Sequence, residues 1–251
     1  MVARSPPCDA RGVTRDPNRL DLTQDLAGLT TRIVGPADAA ITCVLLHGFG
    51  AGGDDLVGLA QVLTAPVRFV FPAAPIALGG MYGDARAWWL LDLARLQSDM
   101  ASGAPRDRRD EIPDGMAPAR DQVSRLLDEL ATRFGASADR VVLGGFSQGA
   151  MLSLDVALHR PAPPAGLLLM SGTLLAESVW RPRMPSLRGV PVLVSHGRND
   201  TLLPFYAAEL LRDQLTEAGA EVTWQPFSGG HEIPGAVLAA ADGVLRRVVA
   251  R

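Results

Sequence analysis

The sequence predicts an α/β protein: a single domain on one mostly parallel, doubly wound sheet, with helices on both faces. Three observations predict it. Short apolar runs alternate with amphipathic stretches from Leu29 to Val249, with no linker or internal repeat between them. Several runs, such as Ile41–Leu46 and Gly166–Met170, are apolar almost throughout instead of alternating, which is how strands buried on both faces read. The chain has 251 residues, 47% hydrophobic and 20% charged, enough to bury a large core.

Taken in order, residues 1–20 form an expected mobile extension, rich in Pro, Arg and Asp as far as Asn18 and without periodicity. The domain is expected over 21–251. Leu29–Val34 reads as an edge strand closed by Gly35-Pro36, and Ile41–Leu46 as a central strand. A helix is expected from Asp54 to Leu63, with Leu56, Leu59, Ala60 and Leu63 on one face and Asp54 or Asp55 as its cap. Val67–Phe71 is the next strand. Residues 76–118 are irregular, with a short helix expected near Leu90–Leu96 and a charged stretch at Arg106–Glu111. A segment this long inside one domain reads as a lid or pocket wall, and alternating charge signs read as solvated surface. Alternation then resumes. Helix Ala119–Phe134 precedes strand Val141–Gly144 and helix Ala150–Leu158; strands Gly166–Ser171 and Val190–Ser195 follow. Helix Tyr206–Ala218, strand Glu221–Phe227 and helix Pro234–Val249 complete the chain.

Composition removes several chemistries. The net charge is −3, with no basic footprint for nucleic acid. Every basic residue is arginine; without lysine there is no Schiff base, no Ser-Lys dyad and no phosphate-binding P-loop. The two cysteines, Cys8 and Cys43, make neither a disulfide framework nor a zinc site. The N-terminal region has no apolar core of a signal peptide, and no run has the length of a membrane span. The expectation is a cytoplasmic protein, monomer or homodimer, without metal or cofactor.

The chain is organised around Gly145-Phe146-Ser147-Gln148-Gly149, which lies between an expected strand and an expected helix. A sharp turn there lifts the serine clear of the sheet, and the helix N-terminus aims free N–H groups at whatever it attacks. In open parallel sheets ligands bind at the carboxyl ends of the strands. Asp200, past Ser195, and His231, past Phe227, share that rim with Ser147, in the order Ser…Asp…His expected for an α/β-hydrolase triad. With only four histidines, elimination selects the base. His159 ends a helix, and His47 and His196 both precede the acid in the chain, so His231 remains. Asp200 has an alternative role as N-cap of the following helix. Backbone N–H groups of Phe49 and Gln148 are the expected oxyanion donors, each contributing about 3 kcal/mol to the transition state. Gly48–Gly53 also satisfies G-x-G-x-x-G. A dinucleotide site needs an acid at the end of the next strand, and Phe71-Pro72-Ala73-Ala74-Pro75 has none.

Four stretches in order resemble the phospholipase/carboxylesterase family of α/β-hydrolases, which includes acyl-protein thioesterases. They are Leu46–Gly50 with Asp54-Asp55-Leu56, Gly145–Ala150, Ser195–Asp200 with Leu203-Pro204, and Gly230–Ile233. Arg86-Ala87-Trp88-Trp89 resembles a segment near the acyl pocket of that family. The first eighteen residues and the charged insert 102–116 depart from its pattern. The resemblance implies a serine hydrolase acting on small-molecule carboxylic esters, with thioesters and lysophospholipid-type esters among the candidates. Trp88, Trp89, Met81 and Tyr82 are then candidates for the acyl pocket, with packing of the two tryptophans as the alternative. The other readings are a non-catalytic ligand-binding protein on this fold, and a peptidase or lipase.

Overall fold

The computed structural model describes residues 18–79, 83–92, 94, 98 and 107–251. Eight strands form one sheet in the order β1-β2-β4-β3-β7-β8-β9-β10. These are β1 (Arg19–Leu26), β2 (Leu29–Pro36), β3 (Thr42–Leu46), β4 (Arg68–Pro72), β7 (Val141–Phe146), β8 (Gly166–Met170), β9 (Pro191–Gly197) and β10 (Glu221–Phe227). From β4 to β10 every pairing is parallel; β1 and β2 join antiparallel at one edge. The expected mostly parallel sheet is therefore the one observed. Two further short strands, β5 (Ile76–Ala77) and β6 (Arg86–Ala87), pair antiparallel outside it.

The apolar runs become β3, β4 and β8, buried at every position. They bury both faces because helices cover both. On one face pack α2 (Met116–Phe134), α3 (Gln148–His159) and α5 (Phe205–Glu217), with Val123, Leu126, Leu152 and Leu211 in one core. On the other lie α1 (Leu59–Val62) and α6 (Gly235–Val249), with Ala60, Val237 and Val244 in a second core. A further helix, α4 (Glu177–Trp180), runs into a 3₁₀ segment over Arg181–Leu187. There Trp180 donates its indole N–H to the fully buried Asp155 carboxylate of α3 at 2.8 Å, which also receives Arg120 of α2 at 3.3 Å.

Several elements differ from expectation. β1 starts at Arg19, inside the segment expected as an extension; residues 1–17 lie outside the described residues. The helix expected from Asp54 is helical only over Leu59–Val62, and neither aspartate caps it. Residues 53–58 instead form turns with i→i+3 bonds such as Val57 N–H to Asp54 O. Gly58, inside the expected span, lowers the helix propensity there. α2 begins three residues early because Pro118 falls in its first turn, where a missing N–H costs nothing. Of the short helix expected near Leu90–Leu96, Leu90–Asp92 have no regular structure, Ala94 is helical, and the other residues lie outside the described ones. The charged stretch is docked, not only solvated: Glu111 O and Arg109 O accept the N–H groups of Ala176 and Glu177.

Candidate active site

Ser147 stands at the carboxyl end of β7 with φ 55° and ψ −118°, between the strand and α3. A non-glycine residue in the positive-φ region costs about 1–2 kcal/mol, so the surrounding packing must hold it there. Its N–H donates to Met170 O of the next strand at 2.9 Å. The flanking glycines are required by space. A Cβ on Gly145 would lie 2.2 Å from Leu46 O, and one on Gly149 would lie 2.0 Å from the same oxygen. The end of β3 is thus pressed into the turn, and the serine is pushed up to the rim.

Asp200 follows β9 with its side chain fully buried, and His231 follows β10 with its side chain 14% exposed. His231 Nδ1 lies 2.6 Å from Asp200 Oδ2. Oδ1 accepts the N–H groups of Leu202 and Leu203 at 2.8 and 2.9 Å. Burial alone would raise the carboxyl pKa. Hydrogen bonds from His196, His231 and Leu203 N–H, with the His231 charge, outweigh it and hold the group well below the usual carboxylate range. Asp200 does not cap the following helix: α5 starts at Phe205 with Pro204 before it. The two loops meet closely, because a Cβ on Gly197 would lie 2.1 Å from Gly230 O.

His196 is a site residue that sequence order did not reveal. It is fully buried, and its Nε2 lies 2.9 Å from Leu203 O and 3.3 Å from Asp200 Oδ2. The carbonyl can only accept, so Nε2 carries the hydrogen and shares it with the carboxylate. Elimination of His196 as a base said nothing about its contact with the acid. The spacing of four residues across the loop was the available signal.

The His231 ring packs on Phe146, the neighbour of Ser147, with centroids 4.7 Å apart. The structure therefore joins Asp200 to His231 and sets that ring beside the serine's strand end. It does not join Ser147 Oγ to His231 by a hydrogen bond. Ser171 Oγ, at the end of β8, lies 3.4 Å from Glu232 O and tethers the histidine loop.

Phe49 is half-buried and Gln148 buried. Among the described residues neither backbone N–H donates to a protein acceptor; Gln148 is the first residue of α3, whose N–H has no partner within the helix. His47 supports this loop from below. It is 1% exposed, its Nδ1 lies 2.8 Å from Gly48 O, and its Nε2 accepts Ala74 N–H at 3.0 Å. Burial lowers its pKa against the Gly48 hydrogen bond, so the ring is a neutral post with both nitrogens used.

Trp88 and Trp89, expected as a wall for an acyl chain, are each 1% exposed and belong to the core under α2. Their rings fill space, and Trp88 Nε1 donates to His47 O at 2.9 Å. This favours the packing alternative. Met81 and Tyr82 lie outside the described residues. Among the described residues no group of three His, Cys, Asp or Glu is placed to hold a metal, and no helix is long and apolar enough to cross a membrane.

The family model for phospholipases and carboxylesterases matches residues 30–248. Acyl-protein thioesterase 1 of Gibberella zeae is 26% identical over 233 residues, covering 88% of this chain and 97% of the relative. Acyl-protein thioesterase 1 of Schizosaccharomyces pombe is 30% identical over 185 residues, covering 71% and 77%. A probable carboxylesterase of Oryza sativa subsp. japonica is 29% identical over 220 residues, covering 82% and 79%. Among solved structures, esterase PE8 superposes with a TM-score of 0.74 at 28% identity, covering 88% of this chain and 99% of that one.

Proposed function

We propose that this chain, which belongs to the phospholipase/carboxylesterase family, hydrolyses carboxylic esters and thioesters through an acyl-enzyme on Ser147. One observation carries the assignment of roles: a buried carboxylate, Asp200, holds His231 at 2.6 Å, and the histidine ring lies against the residue before the strained Ser147. His231 takes the proton of Ser147 through Nε2 as the hydroxyl attacks the acyl carbon. Asp200 fixes the ring with Nδ1–H toward itself and stabilises the imidazolium. The N–H groups of Phe49 and Gln148 receive the oxyanion. His231 then protonates the departing alcohol or thiol. Water, deprotonated by the same ring, hydrolyses the acyl-enzyme and restores the serine.

Thioesters enter this reading from the names of the relatives in Gibberella zeae and Schizosaccharomyces pombe, both acyl-protein thioesterases. The same reading puts the enzyme in the cytoplasm, as a monomer or homodimer acting on small-molecule esters. The test is turnover of p-nitrophenyl esters from acetate to long chains, and of an acyl thioester, by the intact protein and by Ser147→Ala. Turnover lost in the variant supports the reading, and the chain-length profile sizes the pocket. An intact protein that turns over neither class contradicts it.

A further inference from the structure

The two proposed oxyanion donors sit on separate pieces of chain: Phe49 on the loop after β3, Gln148 at the start of α3. Their spacing has to be set by something that touches both. The segment Arg86–Trp89 does. On one side it pairs with the loop, Gly50 N–H to Arg86 O at 2.9 Å and Arg86 N–H to Ala51 O at 3.0 Å. Trp88 Nε1 adds a bond to His47 O at 2.9 Å. On the other side the Gln148 side chain grips the same segment twice. Its Oε1 accepts Trp88 N–H, and its Nε2 donates to Trp89 O, both at 2.9 Å.

We propose that Gln148 and Trp88 are positioning residues whose side chains lock the two halves of the oxyanion site at a fixed separation. The inference rests on the hydrolase reading above and goes beyond it, since that reading assigns Gln148 only a backbone N–H. The residue types follow from the geometry. Residue 148 must accept one bond and donate another from the same terminal group, which an amide does and a carboxylate does not. Asparagine is one methylene too short. At 88 an indole N–H reaches a backbone carbonyl while its ring stays in the core; a phenyl ring fills similar space and donates nothing. Both side chains are buried, Gln148 at 2% and Trp88 at 1%, so no water competes for these bonds. Preorganised donors stabilise charge without moving at the moment of reaction, and a displacement of well under an ångström weakens them.

The experiment compares the intact protein, Ser147→Ala, Gln148→Met, Trp88→Phe and the Gln148→Met/Trp88→Phe double variant on p-nitrophenyl butyrate, each first confirmed folded by its thermal melt. Each single change is expected to lower kcat roughly tenfold to a hundredfold with KM within about twofold of the intact protein. A trifluoromethyl ketone, which forms a charged tetrahedral adduct, should lose affinity in step with kcat. The double variant should lose about as much as the worse single one, because both changes cut one bracket. A folded variant with kcat within about twofold of the intact protein, a loss confined to KM, or two losses that multiply would overturn the proposal. Should Gln148→Met not fold, Trp88→Phe, which removes a single hydrogen-bond donor, decides alone. Absence of any Ser147-dependent turnover in the intact protein sinks the hydrolase reading and this inference together; normal turnover with indifferent variants sinks this inference only.

Discussion

Asp200 engages both of its oxygens: Oδ1 takes two backbone N–H groups and Oδ2 takes His231, with His196 alongside. These donors favour the charged form, so the folded-state pKa lies below the ordinary value of 3.8. The sign of the linkage follows. The stability this contact contributes is complete above the unfolded value and is lost as pH falls through the lower folded one. Asp200 therefore stays ionised through the ordinary carboxylate range and above it, so its charge faces His231 throughout. Replacing Asp200 by Asn keeps the shape, and its amide can turn its NH₂ toward His231, which leaves the hydrogen on the wrong nitrogen. We expect kcat to fall about 10⁴-fold in Asp200→Asn with the protein folded, read by ester hydrolysis and a thermal melt. A fall of less than about tenfold would remove Asp200 from the triad. At this scale the sequence was informative because four histidines leave few assignments: chain order removes two of them and a helix end a third. The role of His196 was not legible, since order speaks about the base and not about what else touches the acid. Nor was the side chain of Gln148, whose partners lie about sixty positions away in an irregular stretch.

Among the elements, the parallel strands were legible because burial on both faces forces nearly continuous apolar runs. The β1–β2 hairpin was missed at its first strand, where Leu20, Leu22, Gln24 and Leu26 alternate with exposed or polar positions. Its turn also lacked a usual signal. Leu26 pairs with Leu29 across a two-residue loop in which Ala27 has φ 53° and Gly28 φ 78°. Both central residues are left-handed, the pattern for which Asn-Gly is favoured and Ala-Gly is not. The alanine is strained, and Ala27→Asn should raise stability by about 0.5–1 kcal/mol, seen as a higher denaturant midpoint with unchanged slope. An unchanged or lower midpoint would mean that the contact of this turn with Glu129 of α2 already absorbs the strain. The overlong α1 was a propensity error of the opposite kind: the periodic leucines were real, and Leu56 and Leu63 are buried, but with Gly58 inside it that stretch is a chain of turns.

For the whole molecule, one sheet explains why residues distant in sequence meet. Parallel strands bring every carboxyl end to one rim, so β3, β7, β8, β9 and β10 each place a loop there, and those loops carry Phe49, Ser147, Ser171, Asp200 and His231. The fold class and this rim followed from the alternation of elements and the uninterrupted apolar runs. The burial of Trp88 and Trp89 did not, because an irregular segment has no period from which to infer the side on which a tryptophan lies. The central claim is that Ser147 is a nucleophile made reactive by His231. Intact-mass spectrometry after treatment with an alkyl fluorophosphonate tests it most directly, on the intact protein and on His231→Ala. The account predicts one adduct on the intact protein, mapped to Ser147, with labelling at least about a hundredfold slower in His231→Ala. No adduct, or one on another residue, would contradict it.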